Sequence, residues 1–133
     1  MNLKMPDMFF IFPIGGAGYN LLEILWRGYT HWSMALAGGL CFCCIYAICS
    51  SQGTHFLTKC ALCAFTITGI EFVFGCIVNL LFHMEVWDYS HLPLHLLGQV
   101  CLPYTALWFL LTMPLIPLCK RLNVLIRKLE AAS

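Results

Sequence analysis

The run from Phe56 to Phe82 constrains the fold most, because Lys59 and Glu71 are the only charged residues in this long apolar stretch. A helix needs about 20 apolar residues to cross the hydrocarbon core of a bilayer. In lipid, a continuous helix also satisfies every backbone donor and acceptor internally. The run therefore predicts a membrane-spanning helix that is long enough to tilt.

Three further apolar runs have a similar length. Only 10% of the 133 residues are charged while 61% are hydrophobic, and the mean hydropathy is +0.84. So few charges cannot cover a soluble domain of this size, so the apolar surplus is expected to face lipid. We predict an all-α polytopic membrane protein with four transmembrane helices, at about residues 8–26, 32–50, 56–82 and 96–118. The glycine-rich first helix is expected to let another helix approach closely.

Residues 119–133 form a basic tail, and leucines recur at helical spacing from its border into it, at positions 118, 122, 125 and 129. This pattern predicts a C-terminal amphipathic helix that lies on a membrane surface. Lys4, Lys59 and the tail place positive charge on one side of the membrane, and Arg27 is alone on the other. Because cytoplasmic segments carry the excess of Lys and Arg, we expect both termini in the cytoplasm.

A short internal similarity links the two turns that are predicted to be external. Tyr29-Thr30-His31 precedes a leucine and a glycine at the same spacing as Tyr89-Ser90-His91 does. An even number of crossings between the copies would give two parallel helical-hairpin repeats. A real duplication and a chance match both remain open.

Glu71, Gly75 and Asn79 follow one another at a spacing of four, so a helix places them in one stripe. A carboxylate in the middle of a membrane costs about 2.5 to 3.5 kcal/mol on insertion scales, and such residues usually serve a function. We predict that Glu71 and Asn79 contribute to a substrate or ion path at which proton exchange is chemically available. The alternative is a protonated glutamate that hydrogen-bonds to a neighbour and serves assembly.

A second polar face lies on the first helix, where Asn20, Glu23 and Arg27 are three and four positions apart. An intrahelical ion pair near the membrane interface explains this face without a ligand. The same residues are also candidates for the external mouth of the path. The predicted path therefore comprises Glu71, Asn79, Glu23, Arg27 and Asn20.

The second turn, Trp87-Asp88-Tyr89-Ser90-His91, combines interfacial aromatic residues with a carboxylate and a hydroxyl that can cap a following helix. Aromatic anchoring and N-capping explain most of it. His91 and His95 would be one helical turn apart and could share a metal if Asp88 or Glu85 supplied a third ligand. Solvated histidines are the favoured interpretation, so no metal site and no cofactor is predicted.

Several function classes are excluded or disfavoured. The net charge of +1 provides no basic surface for nucleic acid. The nine cysteines fall within apolar runs and are expected to be free thiols, including the Cys60–Cys63 pair. The sequence contains no Walker A, HExxH, GxSxG or EF-hand motif. We therefore expect that the chain is not an enzyme.

The stretch GIEFVFGCIVN, followed by VWDYSHLPLHLLGQVCLPYTALWF, resembles the bacterial membrane family named Putative ABC-transporter type IV (CmpB-like). The likeness covers about residues 15–118. Glu23 and the Arg27-Gly28 pair resemble earlier family elements more loosely, and His95 stands where an asparagine is more usual. The resemblance implies a bacterial plasma-membrane protein related to transport, with ATP hydrolysis on a separate chain. The closest matches to the family pattern are Thr68, Glu71, Trp87 to Ser90, and Gly98-Gln99.

Two main hypotheses follow. The first is a transporter or permease component, oligomeric or joined to another membrane subunit, with a polar path centred on Glu71. The second is a membrane-embedded assembly or regulatory subunit that moves no solute itself. A small intramembrane enzyme built on Asp88, His91 and His95 is the least favoured. Whether Glu23, Glu71 and Asn79 meet at one cavity separates a path from unrelated contacts.

Overall fold

The computed structural model describes residues 5–51 and 53–132, with side chains from Asp7 onward; Lys4, Gln52 and Ser133 lie outside the described residues. Four helices are long and apolar enough to cross a membrane. The prediction of an all-α polytopic protein is therefore confirmed. The elements are α1 (Met5–Arg27), α2 (Trp32–Ser50), α3 (Phe56–Gly75), a π-helical extension of α3 (Cys76–Leu81), β1 (His95–Leu96), β2 (Val100–Cys101) and α4 (Leu102–Ala132).

The helices form two hairpins, α1 with α2 and α3 with α4, and these pack into one bundle. Arg27 at the end of α1 donates a hydrogen bond to the carbonyl of Val86, so residues 27–31 and 82–101 lie at the same end, which we call the loop end. Lys59 at the start of α3 donates to the carbonyl of Cys49 at the opposite end, which we call the tail end. The main core, which includes Tyr46, Cys60 and Ile116, joins all four helices.

The outer surface of the bundle is strongly apolar. Phe9 is 81% exposed, and Leu25 and Phe65 are also largely exposed. In a soluble domain such a surface would be an aggregation hazard. Around a membrane span it is the face that contacts acyl chains.

Glycines let α1 and α2 approach closely. A Cβ atom on Gly16 would lie 2.8 Å from the carbonyl oxygen of Ala35, and one on Gly39 would lie 2.8 Å from that of Phe12. A Cβ atom on Gly38 would overlap the Cβ atom of Tyr19. Backbone contact of this kind is typical of small-residue interfaces in membranes and agrees with the expectation from the glycine-rich first run.

The fourth helix differs from its predicted range at both ends. It begins at Leu102 instead of residue 96, because β1 and β2 pair as a hairpin and Leu94, Leu97 and Gly98 have positive φ. It then continues without a break to Ala132, so the described part of the tail extends α4 and is not a separate surface helix. Its 31 residues correspond to roughly 46 Å, so it extends beyond a hydrocarbon core of about 30 Å.

Polar contacts hold the tail against the bundle. The side-chain amide of Asn123 donates to the hydroxyl of Tyr46 at 2.6 Å, and both residues are buried. The guanidinium of Arg127 donates to both carboxylate oxygens of Asp7, at 3.1 and 2.9 Å. These contacts explain why the basic tail continues α4 and packs along the bundle.

We expect Tyr46→Phe to lower the free energy of unfolding by about 1 kcal/mol, because the buried amide of Asn123 loses its partner. Reversible unfolding in mixed micelles measures this change. Tyr29→Phe is the matched control, because Tyr29 is largely exposed. Equal stability of the two variants would contradict the role given to the Asn123–Tyr46 contact.

The two similar tripeptides are not structurally equivalent. His31 directly precedes α2, and its Nδ1 atom accepts a hydrogen bond from the backbone N–H of Ser33. His91 lies in a turn well before α4 begins at Leu102. The hairpins α1–α2 and α3–α4 are present, but the tripeptides do not mark the same place in each.

Candidate functional site

The predicted stripe on the third helix is buried along its whole length. Glu71 is 5% exposed and Asn79 is 8% exposed, and Gly75 between them is also buried. Glu71 accepts a hydrogen bond from Nε1 of Trp108 on α4, at 3.3 Å. A Cβ atom on Gly75 would lie 2.6 Å from Oε1 of Gln99, so only glycine permits this approach. The stripe is therefore the seam against which α4 and the 82–101 segment pack.

Asn79 anchors the 82–101 segment. Its Nδ2 atom donates to Oε1 of Gln99 at 2.8 Å, and its Oδ1 atom accepts from the backbone N–H of Val86 at 2.7 Å. The indole N–H of Trp87 donates to the carbonyl of Gln99 at 3.0 Å, and the amide of Gln99 donates to the carbonyl of Leu97. Because these groups are buried and paired, they fix one conformation of the segment.

The backbone of this segment carries strain. The π-helical turns Cys76–Leu81 close the third helix, and four non-glycine residues then adopt positive φ. Left-handed conformations cost such residues free energy and persist only where the surroundings enforce them. The anchoring network of Asn79, Trp87 and Gln99 supplies that constraint. The four residues are His83, Glu85, Leu94 and Leu97.

The predicted helix cap at Asp88 is instead a turn. The carboxylate of Asp88 accepts from the backbone N–H and the hydroxyl of Ser90, both at 2.9 Å, and these bonds lower the pKa of Asp88. Tyr89 stacks on Tyr104 of α4, with ring centroids 4.8 Å apart. The segment bends back here, so no helix follows directly.

The helical spacing assumed for His91 and His95 does not occur. His91 lies in a turn, and His95 belongs to β1, where its Nδ1 atom accepts from the backbone N–H of Gly98. Among residues 5–51 and 53–132, no three His, Cys, Asp or Glu side chains are grouped as metal ligands.

Glu23 and Arg27 form an ion pair on α1, with Oε2 and Nε 2.5 Å apart. These two atoms form a charge contact that does not have hydrogen-bond geometry, and Nη2 of Arg27 is buried without a hydrogen-bond partner in the described chain. The Nη1 atom of Arg27 donates to the carbonyl of Val86 at 2.9 Å, and its guanidinium lies over the ring of Tyr29. Arg27 therefore ties α1 to the 82–101 segment.

This ion pair lines a cavity of about 220 Å³ between α1, α4 and the 82–101 segment. Half of the lining side chains are aromatic. Trp108 lies at its inner wall, 5.9 Å from the ring of Tyr19. The aromatic residues are Tyr19, Trp26, Trp87, Tyr89, Tyr104 and Trp108.

The predicted path residues have different relations to this cavity. Glu23 and Arg27 line it directly. Glu71 and Asn79 are absent from the described lining, but Glu71 bonds the indole of Trp108 and Asn79 bonds the backbone of Trp87, both of which line it. Asn20 instead accepts a hydrogen bond from the hydroxyl of Thr30.

Sequence reasoning missed the roles of Trp108, Gln99 and Tyr104. Trp108 lies in an apolar run in which an indole is an ordinary core residue. Gln99 offered a signal, because an amide directly after glycine in an apolar stretch needs a buried partner.

A second cavity of about 350 Å³ adjoins the first. Its lining is almost entirely apolar, and it shares with the first cavity the side chains of Tyr19, Leu22, Trp108 and Leu111. It continues along α1, α2 and α4 toward Ile14 and Leu118, both of which are also exposed on the outer surface. An aromatic, charged compartment at the loop end thus lies beside an apolar compartment within the bundle.

Four apolar spans that enclose a buried carboxyl group and an ion pair define a multi-pass helical membrane protein. Residues 8–131 match the family model described as Putative ABC-transporter type IV. The chain belongs to this family, and the resemblance noted in the sequence is confirmed over a longer range. Comparisons with curated proteins and with solved structures gave no match.

Proposed function

We propose that the chain is the solute-binding component of a transporter in the bacterial plasma membrane. The observation that carries this proposal is the cavity at the loop end, which combines an incompletely hydrogen-bonded ion pair with aromatic walls. The Nη2 atom of Arg27 is buried without a hydrogen-bond partner among the described residues, and a bound solute would offset the cost of burying it. The transporter description of the family supports the same function.

In this proposal, Glu23 and Arg27 contact the solute at the external mouth. Glu71 acts one layer deeper, because its carboxyl group holds the indole of Trp108 that forms the inner wall. Asn79 is a positioning residue, because it fixes the 82–101 segment from which Trp87 extends into the cavity. A change at Glu71 would thus alter the wall that a solute must pass.

The proposed orientation has both termini in the cytoplasm. Lys59, Lys120, Arg121, Arg127 and Lys128 belong to the tail end, while Arg27 belongs to the loop end. Cytoplasmic segments carry the excess of Lys and Arg. The cavity would then face the exterior.

We infer that the chain is not itself an enzyme and that a separate ATPase chain provides energy. The sequence has no Walker A motif to bind nucleotide. We also expect an oligomer or a second membrane subunit, because α1 buries little of its surface within this chain. Four helices alone enclose only a narrow core.

We expect Glu71→Gln to reduce solute uptake to the background of vesicles that lack the chain, because the variant loses the ionisable group that lies behind Trp108, the inner wall of the cavity. Right-side-out vesicles from expressing cells retain native partners. The initial uptake of a panel of labelled organic solutes is measured in them, against vesicles without the chain.

Glu85→Gln is the matched control, since it removes the same charge from an exposed position of the 82–101 segment. Its uptake should equal that of the unmodified chain. If vesicles with and without the chain take up every solute equally, the chain is an assembly or regulatory subunit. If uptake persists in Glu71→Gln, that residue has no part in the mechanism.

A further inference from the structure

The two adjoining cavities lie where α1 and α4 face each other with few contacts. Leu22 and Trp26 line the first cavity, and they are 51% and 72% exposed on the outer surface. Ile14 and Leu118 of the second cavity are exposed as well. Both compartments therefore open sideways toward surrounding lipid, at the same gap.

The first compartment has the chemistry of a cation site. Ring faces carry negative quadrupole charge and attract ammonium groups, and cages of aromatic residues recognise them in this way. The guanidinium of Arg27 is already held by the carbonyl of Val86 and the ring of Tyr29. Glu23 pairs with Arg27 through Oε2, and its carboxylate is the anionic group of this lining that a ligand's cationic head can share with Arg27. Glu71 places a second carboxyl group behind Trp108.

The second compartment has the chemistry of a hydrocarbon site. Its walls are leucine, isoleucine, phenylalanine and glycine for the most part, and its volume is about 350 Å³. An apolar cavity of about 150 Å³ is large enough to hold benzene. Trp108 and Tyr19 lie between the two compartments, since both side chains line both cavities. Leu22 also lines both and is 51% exposed, so the compartments adjoin at the lipid-facing gap.

From this adjacency we propose that the chain binds an amphiphile, with an ammonium head in the aromatic compartment and its alkyl chain in the apolar compartment. Glu23 is the counter-charge of the head, and Trp26 and Tyr104 are walls of its cage. The ligand enters through the lipid-facing gap between α1 and α4. This inference rests on the proposed function only where the amphiphile is the transported solute, because binding itself requires no transport.

The test measures binding of dodecyltrimethylammonium with a brominated alkyl chain to the full chain in nanodiscs of an uncharged glycolipid. Bromine quenches the tryptophans that line the cavities, and the midpoint of quenching gives an apparent affinity. We expect about tenfold tighter binding than for the same brominated chain with an uncharged tert-butyl head, because several rings and Glu23 contact the charge. Choline without the chain should bind more weakly than the amphiphile.

Two variants identify the compartment. Glu23→Gln should remove the preference for the ammonium head while leaving the uncharged probe unaffected. Trp26→Leu should weaken the same preference, and it preserves folding because Trp26 lies mostly on the outer surface. The same titration is repeated in nanodiscs of phosphatidylcholine, whose head group is also a quaternary ammonium. A quenching midpoint at higher probe concentration than in glycolipid nanodiscs identifies the bilayer phospholipid as a competing ligand.

Equal affinity for the charged and uncharged heads would overturn the proposal, as would an unchanged preference in folded Glu23→Gln and Trp26→Leu. Cross-links between α1 of one copy and α4 of another across the gap would also overturn it, because the gap would then be a subunit interface. Ammonium-selective binding without any vesicle uptake would refute the proposed transport function alone. Uptake of other solutes without ammonium selectivity would refute this inference alone.

Discussion

Replacement of Asn79 by leucine is expected to release the 82–101 segment from the bundle and to lower the free energy of unfolding by about 3 kcal/mol. The size of the effect follows from what the substitution leaves behind. The backbone N–H of Val86 and the side chain of Gln99 would both lose their buried partner. The strained residues of the segment would no longer be held in left-handed conformations.

Unfolding in mixed micelles, followed by near-ultraviolet circular dichroism, measures the loss. Limited proteolysis with chymotrypsin should produce new cuts after Trp87 or Tyr89. Thr66→Val is the matched control on the same helix, because the hydroxyl of Thr66 donates to the carbonyl of Leu62 in its own helix. The proposed anchor would be refuted if Asn79→Leu were as stable and as resistant to protease as this control.

A double-mutant cycle with Gln99→Leu isolates the contact between the two amides. Each single variant leaves one buried amide without its partner, whereas the double variant removes both. We therefore expect the combined loss of stability to be clearly smaller than the sum of the two single losses. Additive losses would mean that the two amides stabilise the segment independently.

The four spans could be predicted from the sequence because bilayer thickness and backbone hydrogen bonding leave a long apolar run one solution. The boundaries of α2 illustrate this, since polar residues flank a run of the required length and the structure begins and ends it at Trp32 and Ser50. The continuation of α4 through the tail could not be predicted, because a helix on a membrane surface and a helix packed on the bundle have the same spacing of apolar residues. The contact that holds the tail on the bundle is made by Asn123 with the hydroxyl of Tyr46, which is distant in sequence.

The candidate site was only partly accessible from the sequence. Glu23 and Arg27 are four residues apart on one helix, so their pairing follows from local geometry. The indole of Trp108 is 37 positions from Glu71, and no local rule predicts that contact. No local rule predicts the contact of Asn79 with Gln99 either, because it depends on the irregular path of the 82–101 segment, in which several residues have positive φ. The sequence therefore predicted the polar stripe on α3 but not the residues that contact it.

A large loss of stability is also expected for Gly38→Ala, because the added methyl group would disturb the α1–α2 interface and the cavity wall formed by Tyr19. A Cβ atom there would overlap the Cβ atom of Tyr19 and lie 3.0 Å from the carbonyl oxygen of Gly15. We expect Gly38→Ala to lower the free energy of unfolding by roughly 1 to 3 kcal/mol, the usual range for overpacking. Alanine is the better helix former by about 1 kcal/mol, so this loss would occur against the intrinsic preference.

Gly69→Ala is the control that separates overpacking from the intrinsic helix preference of alanine. A Cβ atom on Gly69 meets no atom within 4 Å, so only the helix preference changes there. That variant should be unchanged or slightly more stable in the same mixed-micelle unfolding experiment. Gly38→Ala should also weaken binding of the brominated ammonium probe, because Tyr19 is displaced and its ring is a wall of both cavities. If Gly38→Ala is destabilised but binds the probe with unchanged affinity, the position of Tyr19 does not determine the shape of the site. If it is as stable as Gly69→Ala, α1 and α2 do not approach as closely as the glycines permit.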